Sequence, residues 1–451
     1  MGSLHASAQQ EELSLTIYGD NRALVEDIRQ TTFENGEQTL ILPGVSSQIQ
    51  PATVTLGADN MTIIEQNFDF DLLTPAKLME KAVGKYVNII RTNPATGKES
   101  EQRVKVLSVN NGVVIQAGER IEVLRDDNIP TRVIFAGVPE NLRAEPTLSV
   151  KIDSDRSGTR ETKLTYLSGG IDWRSDYVAL FDESGETMSL QGWATINNKT
   201  NTTFENAELS VVAGFVGNNN QNRNRFAPNQ GRRIQPVRSG GTEAGSAERI
   251  GDNYIYPLPG QTTLAAKQNK QISFVDAEAI KAKKVYEFYP NGFQTQKNPL
   301  SVESRIAFRN SSEGGLGEAL PAGTVRVYTK DQQDRAQFIG ESGISHIAAG
   351  SHISMKIGEA FDITVKPTKV NDTRISRLIS DVEMKYEVKN AKPEPVTVYI
   401  HQSTPPWGVT WTVLEETTVS EERANGYRVW PVKVPAEGEM TLSFKIRQDR
   451  R

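Results

Sequence analysis

Asp172 and Asp176 flank Trp173 in the segment Gly169-Gly170-Ile171-Asp172-Trp173-Arg174-Ser175-Asp176-Tyr177. Two carboxylates beside an aromatic ring are the equipment of glycoside hydrolysis, one as acid and the other as nucleophile or base. On an extended strand a spacing of four puts both on one face, but roughly 13 Å apart. That exceeds either glycosidase separation, which runs from roughly 5 to 9.5 Å. A tight turn would have to close the gap. Otherwise one carboxylate caps a turn and the other pairs with Arg174 or another base.

Imidazole chemistry has little material to work with, since the only histidines are His5, His346, His352 and His401. His346 and His352 would chelate a metal only if Ala348–Ser351 folded back as a hairpin, because a continuous strand holds them about 20 Å apart. We expect neither a metal site nor a cofactor. There is no cysteine, which rules out disulfides, thiolate metal sites and cysteine nucleophiles. No nucleophile elbow, phosphate-binding loop, dinucleotide fingerprint or zinc-protease motif occurs. Of the five tryptophans, Trp193 sits in an evident strand, Ser189–Asn197, and reads as core. Trp407 follows Pro405-Pro406 and precedes Gly408, so it belongs on a loop with Trp411 nearby. This pair is the candidate for ligand or partner contact, as stacking surfaces or interface anchors.

The elements that would position these residues are strands. Val382, Met384, Tyr386 and Val388 alternate with charged residues, and Val302, Ser304, Ile306 and Phe308 alternate with Glu303, Arg305, Ala307 and Arg309. Val325 and Val327, and later Leu442, Phe444 and Ile446, repeat the pattern. Period-two alternation makes half-solvated strands, which suit antiparallel sheets. Asn110-Asn111-Gly112 reads as a hairpin turn and Asn93–Gly97 as a tight connection. One short helix is expected over 75–86, with Thr74 as N-cap and Pro75 in the first turn; Gly84 weakens it or ends it early. The fold class is therefore mostly β, a multidomain antiparallel β-sandwich architecture.

At 451 residues about three domains are expected. The divisions fall at 11–150, 151–297 and 298–451, the last with the strand spacing of an immunoglobulin-like sandwich. Within the second, Gly217–Asn253 is rich in Asn, Gly, Arg and Gln and cannot bury enough surface to offset its ordering entropy. It reads as a flexible insertion. Its arginines, among them Arg223, Arg225, Arg232 and Arg233, would suit an acidic partner such as an anionic polysaccharide. The net charge of −5 gives no general attraction to nucleic acid, and no apolar run is long enough to span a bilayer as a helix. Residues 1–10 read as a leader remnant: Ala6-Ser7-Ala8 has the small-residue pattern of a signal-peptide cleavage site, beside an added Met1-Gly2-Ser3 start.

One stretch resembles a known family. Tyr166-Leu167-Ser168-Gly169-Gly170-Ile171-Asp172-Trp173-Arg174-Ser175-Asp176-Tyr177 is similar to the hallmark segment of the domain of unknown function 4139, often labelled mucoidy-inhibitor A-like, with Ser175 where Ala is usual. Leu190-Gln191-Gly192-Trp193, Val211-Val212-Ala213-Gly214, Leu320–Tyr328 and Phe338-Ile339-Gly340-Glu341 extend the resemblance. Leu73–Leu78 and Arg91–Gly97 resemble envelope proteins of this type from alphaproteobacteria and their relatives, in a short all-β branch. The resemblance implies a bacterial envelope protein loosely linked to exopolysaccharide and supplies no catalytic residues. The expected function is a non-enzymatic envelope protein, periplasmic or surface-exposed after signal-peptide cleavage, that binds a protein partner or glycan. The alternative is a hydrolase of envelope polysaccharide or peptidoglycan.

Overall fold

The computed structural model describes residues 8–450 apart from 70–72, 111, 125–130, 138, 140–141, 144, 215–247, 251–252, 404–408 and 424–425. The chain is mostly β. Among the described residues there is one α-helix, Pro75–Lys81, and none is long and apolar enough to cross a membrane. Thr74 caps that helix by accepting a hydrogen bond from the Lys77 amide. The helix stops well short of Tyr86: Gly84 takes a left-handed φ of 81°, and Tyr86 already begins the strand Tyr86–Thr92.

The alternating segments fold as their patterns predict. In Ile379–Asn390 the residues Val382, Met384, Tyr386 and Val388 face the core. Strands Tyr86–Thr92 and Glu99–Ser108 pair antiparallel around Asn93–Gly97, where Asn93 Oδ1 accepts from the amides of Ala95 and Thr96. Some strand pairings are parallel, however, among them Ala8–Tyr18 with Phe204–Ala213, Ile171–Asp182 with Gly323–Lys330, and Asn269–Phe288 with Val396–Ser403. Each joins strands distant in sequence, as parallel pairing requires.

The chain divides into two compact units. Long strands such as Ile171–Asp182, Thr187–Asn198 and Asn269–Phe288 contribute residues to both. The first unit comprises Met1–Trp173, Ile196–Val212 and Leu258–Lys270. Its largest sheet includes, in order, Phe204–Ala213, Ala8–Tyr18, Arg22–Phe33, Gly158–Gly169 and Thr55–Gly57. The expected leader remnant is partly structural: from Ala8 onward it pairs with Arg22–Phe33, and Gln10 Nε2 donates to Asp27. Residues 1–7 lie outside the described residues. A five-stranded sheet drawn from Tyr86–Ile134 has its own core around Ile89, Val104 and Ile115.

The second unit, Arg174–Thr195, Ala213–Pro257 and Gln271–Arg451, holds two apolar clusters. In one, Trp430 is fully buried and stacks on Phe444 at 4.3 Å. In the other, Tyr177, Leu190, Ile306 and Val327 meet. Trp193 is only half-buried, against expectation; its neighbours Gly192 and Ala194 turn inward. A Cβ at Gly192 would stand 3.0 Å from Val275 and 3.1 Å from Tyr177, so those side chains would have to give by a few tenths of an ångström to admit one. Of Gly217–Asn253, the described residues are Glu248–Ile250 and Asn253; Glu248–Ile250 pairs antiparallel with residues 253–255. Arg223, Arg225, Arg232 and Arg233 lie outside the described residues.

Candidate functional site

The two aspartates are separately committed. The strand Ile171–Asp182 is continuous through both. Asp172 takes a 2.6 Å ion pair from Lys199. Asp176 is buried and accepts from Thr195 (2.9 Å), Arg326 (3.1 Å) and Arg174 (3.0 Å). Burial pushes its carboxyl up, but the hydrogen bonds from Thr195 and Arg326 and the charge of Arg174 outweigh this and hold it below the usual range. Each carboxylate thus has its own structural partners. Asp172→Asn should cost under about 1 kcal/mol of stability, as a mostly solvated pair does. Asp176→Asn should cost about 1–3 kcal/mol, because buried donors lose a charged acceptor. Thermal unfolding of the two variants checks the order.

The rest of this motif is also structural. The Tyr166 hydroxyl accepts from the Ser46 amide, and Trp173 Nε1 donates to the Val212 carbonyl. In the second unit the Tyr177 hydroxyl donates to the Pro321 carbonyl and Ser175 to that of Ala322. A Cβ at Gly323 would fall 2.3 Å from the Ser175 carbonyl oxygen, so the parallel strands meet here only because Gly323 has no side chain.

Trp411 is half-buried, edge-on to Phe293 and tilted against Trp430, leaving part of its ring at the surface. Trp407 lies outside the described residues. His346 Nδ1 accepts from the Ala322 amide, and His352 opens the strand His352–Arg374 opposite Arg309. Among the described residues no cluster of three or more histidines and carboxylates is placed to hold a metal.

The most distinctive chemistry lies elsewhere, in a cleft of about 1120 Å³ within the second unit. Its wall is a sheet face. On Asn269–Phe288 the residues Ile280 and Ala282 face the core, so Lys281 and Lys283 face outward. The antiparallel register sets Ala307 opposite Lys283 and, one step on, Ser354 opposite Ala307 and His352 opposite Arg309. Five cations line the cleft, Lys281, Lys283, Arg305, Arg309 and Arg423, against two carboxylates, Glu186 and Glu287. Arg305 is paired with Glu303 and Glu287. The other four cations make no ion pair among the described residues, and Arg423 lies over the Tyr399 ring at 6.0 Å.

The inner end of the cleft is a buried polar cluster. Parallel pairing aligns Phe288 with Ile400, both in the core, and therefore sets Tyr289 beside His401 on the opposite face. Their rings stack at 4.6 Å, with Tyr427 edge-on to both. Glu287 accepts from the Tyr289 hydroxyl at 2.6 Å and pairs with Arg305 at 3.1 Å. Burial and the adjoining Glu287 hold the Tyr289 phenol well above its usual range. His401 is 3% exposed, and both ring nitrogens are buried without a hydrogen-bond partner. Its Nε2 stands 3.8 Å from Glu287 Oε1. Burial is the largest influence on the imidazole, lowering its pKa to about 4, so it is neutral at pH 7. The cluster can therefore present a donor, an acceptor and a carboxylate oxygen beneath a cationic wall.

Fold and site define a mostly β chain with a cleft lined by more cations than carboxylates. The family model described as domain of unknown function (DUF4139) matches residues 162–449, and the chain belongs to that family. No curated protein matches it.

Proposed function

We propose that this chain is a non-enzymatic protein of the cell envelope, periplasmic or at the surface, that binds an anionic glycan in the cleft lined by Lys281, Lys283, Arg309 and Arg423. The observation that carries the reading is the convergence of these four cations, none with an ion pair among the described residues, on one cavity of a protein whose net charge is negative. A surface cation is normally balanced by solvent alone. Several focused on one concavity raise the local concentration of an anion. The envelope setting is supported by the resemblance of the amino-terminal segments to envelope proteins. The arginines at 223, 225, 232 and 233 suit the same ligand class.

Titration with a polygalacturonate oligomer tests the proposal. Binding is expected to weaken steeply with salt, since exposed charge contacts are screened. Combining Lys281→Ala, Lys283→Ala and Arg309→Ala should weaken it at least about tenfold, equivalent to about 1.4 kcal/mol. Affinity that ignores the triple substitution would remove the cleft from the account. Release of new reducing ends by the wild type would replace the binding protein with a hydrolase.

A further inference from the structure

We propose that the inner end of the cleft is a hydroxyl-reading subsite, in which His401 and Glu287 select an acidic sugar over an anion without hydroxyl groups. This rests on the anionic-glycan reading of the cleft and names the feature that would discriminate within that class.

Both nitrogens of a buried imidazole lacking partners is an unusual arrangement, since buried polar groups are nearly always satisfied. A neutral imidazole offers one N–H and one lone pair. Both belong to a residue lining the cleft. Glu287 is only partly used. Its Oε2 receives Tyr289 at 2.6 Å and Arg305 at 3.1 Å. Its Oε1 has Ser354 Oγ at 3.5 Å and His401 Nε2 at 3.8 Å, both long for hydrogen bonds. A hydroxyl oxygen reaching this gap would donate to Oε1 and accept from the imidazole N–H. A hydroxyl has one hydrogen and two lone pairs, so it can serve both partners, whereas the in-chain oxygens of a polyphosphate have no hydrogen to give the carboxylate and would be repelled by it. The second imidazole nitrogen remains for a neighbouring hydroxyl, and adjacent hydroxyls are the signature of a sugar ring. Tyr289 covers the imidazole and is 39% exposed. It is the side chain that must turn aside for entry, and the incoming hydroxyl then gives the carboxylate a hydrogen bond at Oε1 in exchange for the one Tyr289 made at Oε2. The cationic wall formed by Lys281, Lys283 and Arg309 then holds the sugar's acid group.

The test compares two polyanions of similar charge, a polygalacturonate oligomer and inorganic polyphosphate, on the full chain by calorimetry. His401→Phe keeps a ring and removes both nitrogens. It should weaken polygalacturonate binding about tenfold, the loss of one or two hydrogen bonds, and leave polyphosphate affinity within about twofold. His401→Gln retains a donor and an acceptor and should recover part of the lost affinity, which also guards against a misfolded Phe variant. Equal losses for both polyanions, or no loss for either, would overturn the subsite while leaving the cationic cleft standing. Binding of neither polyanion by the wild type would overturn the cleft reading itself.

Discussion

Arg305→Met should destabilise the second unit by about 3 kcal/mol. Arg305 is largely buried and pairs with Glu287 and Glu303; its Nε also donates to Ser354 Oγ at 2.9 Å. Methionine preserves much of the side chain's length and packing but supplies no charge. Glu287, 7% exposed, would keep only the hydroxyl of Tyr289 at normal hydrogen-bond distance. Removing one member of a buried pair is far more costly than the pair's own net contribution, because an uncompensated charge stays behind. Lys284→Met, which removes an ion pair to the exposed Glu183, is the control and should cost under about 1 kcal/mol. Denaturant unfolding measures both. Similar small losses would mean that Glu287 is solvated well enough not to need Arg305.

Stability should also fall on mild acidification, through His401. The groups facing its ring are Glu287, Glu303, Arg305, Arg423, Tyr289 and Tyr427. Burial lowers its pKa most; Arg423 and Arg305 add to this, and the two glutamates oppose it, for a value of about 4 against an ordinary 6.5. Between those two values the unfolded chain takes up a proton that the folded chain refuses. Unfolding is thus favoured by acid, and the stability present above pH 6.5 is lost as pH falls towards 4. The full shift corresponds to about 3 kcal/mol. His401→Phe should abolish this component, so its melting temperature should change less between pH 7 and 4.5 than that of the wild type. Other titrating groups are common to both proteins and cancel in the comparison. Parallel pH profiles would show that the imidazole is protonated in the folded state.

Much of the fold was legible because period-two alternation is written locally. Val382–Val388 and Val302–Phe308 turned their apolar sides inward, and Asn93–Gly97 made the turn its residues specify. The parallel pairings were not legible, since nothing near Glu287 announces Val396–Ser403 as its neighbour. The site was hidden for the same reason. His401 entered the sequence reading only as one of four histidines, and no motif singled out Lys281 or Lys283. What unites them is register: Phe288 against Ile400 on one side, Lys283 against Ala307 on the other. Of the residues that did attract attention, Trp173, Asp176 and Tyr177 have polar atoms tied into the interior of a unit, while Asp172 holds a largely solvated pair with Lys199. Trp193 misled in a related way, as small residues beside it, rather than the large ring, fill the inward positions.

The small histidine complement gives the central claim a direct readout. With four histidines in the chain, a protein labelled with nitrogen-15 in its imidazoles gives few ring signals, and His401→Phe assigns the one of interest. Titration with the polygalacturonate oligomer should shift the His401 ring nitrogens at pH 7, as groups without partners acquire hydrogen bonds, while the solvent-exposed His346 stays unchanged. A saturable uronate interaction that leaves the His401 signals in place would contradict binding in the inner cleft.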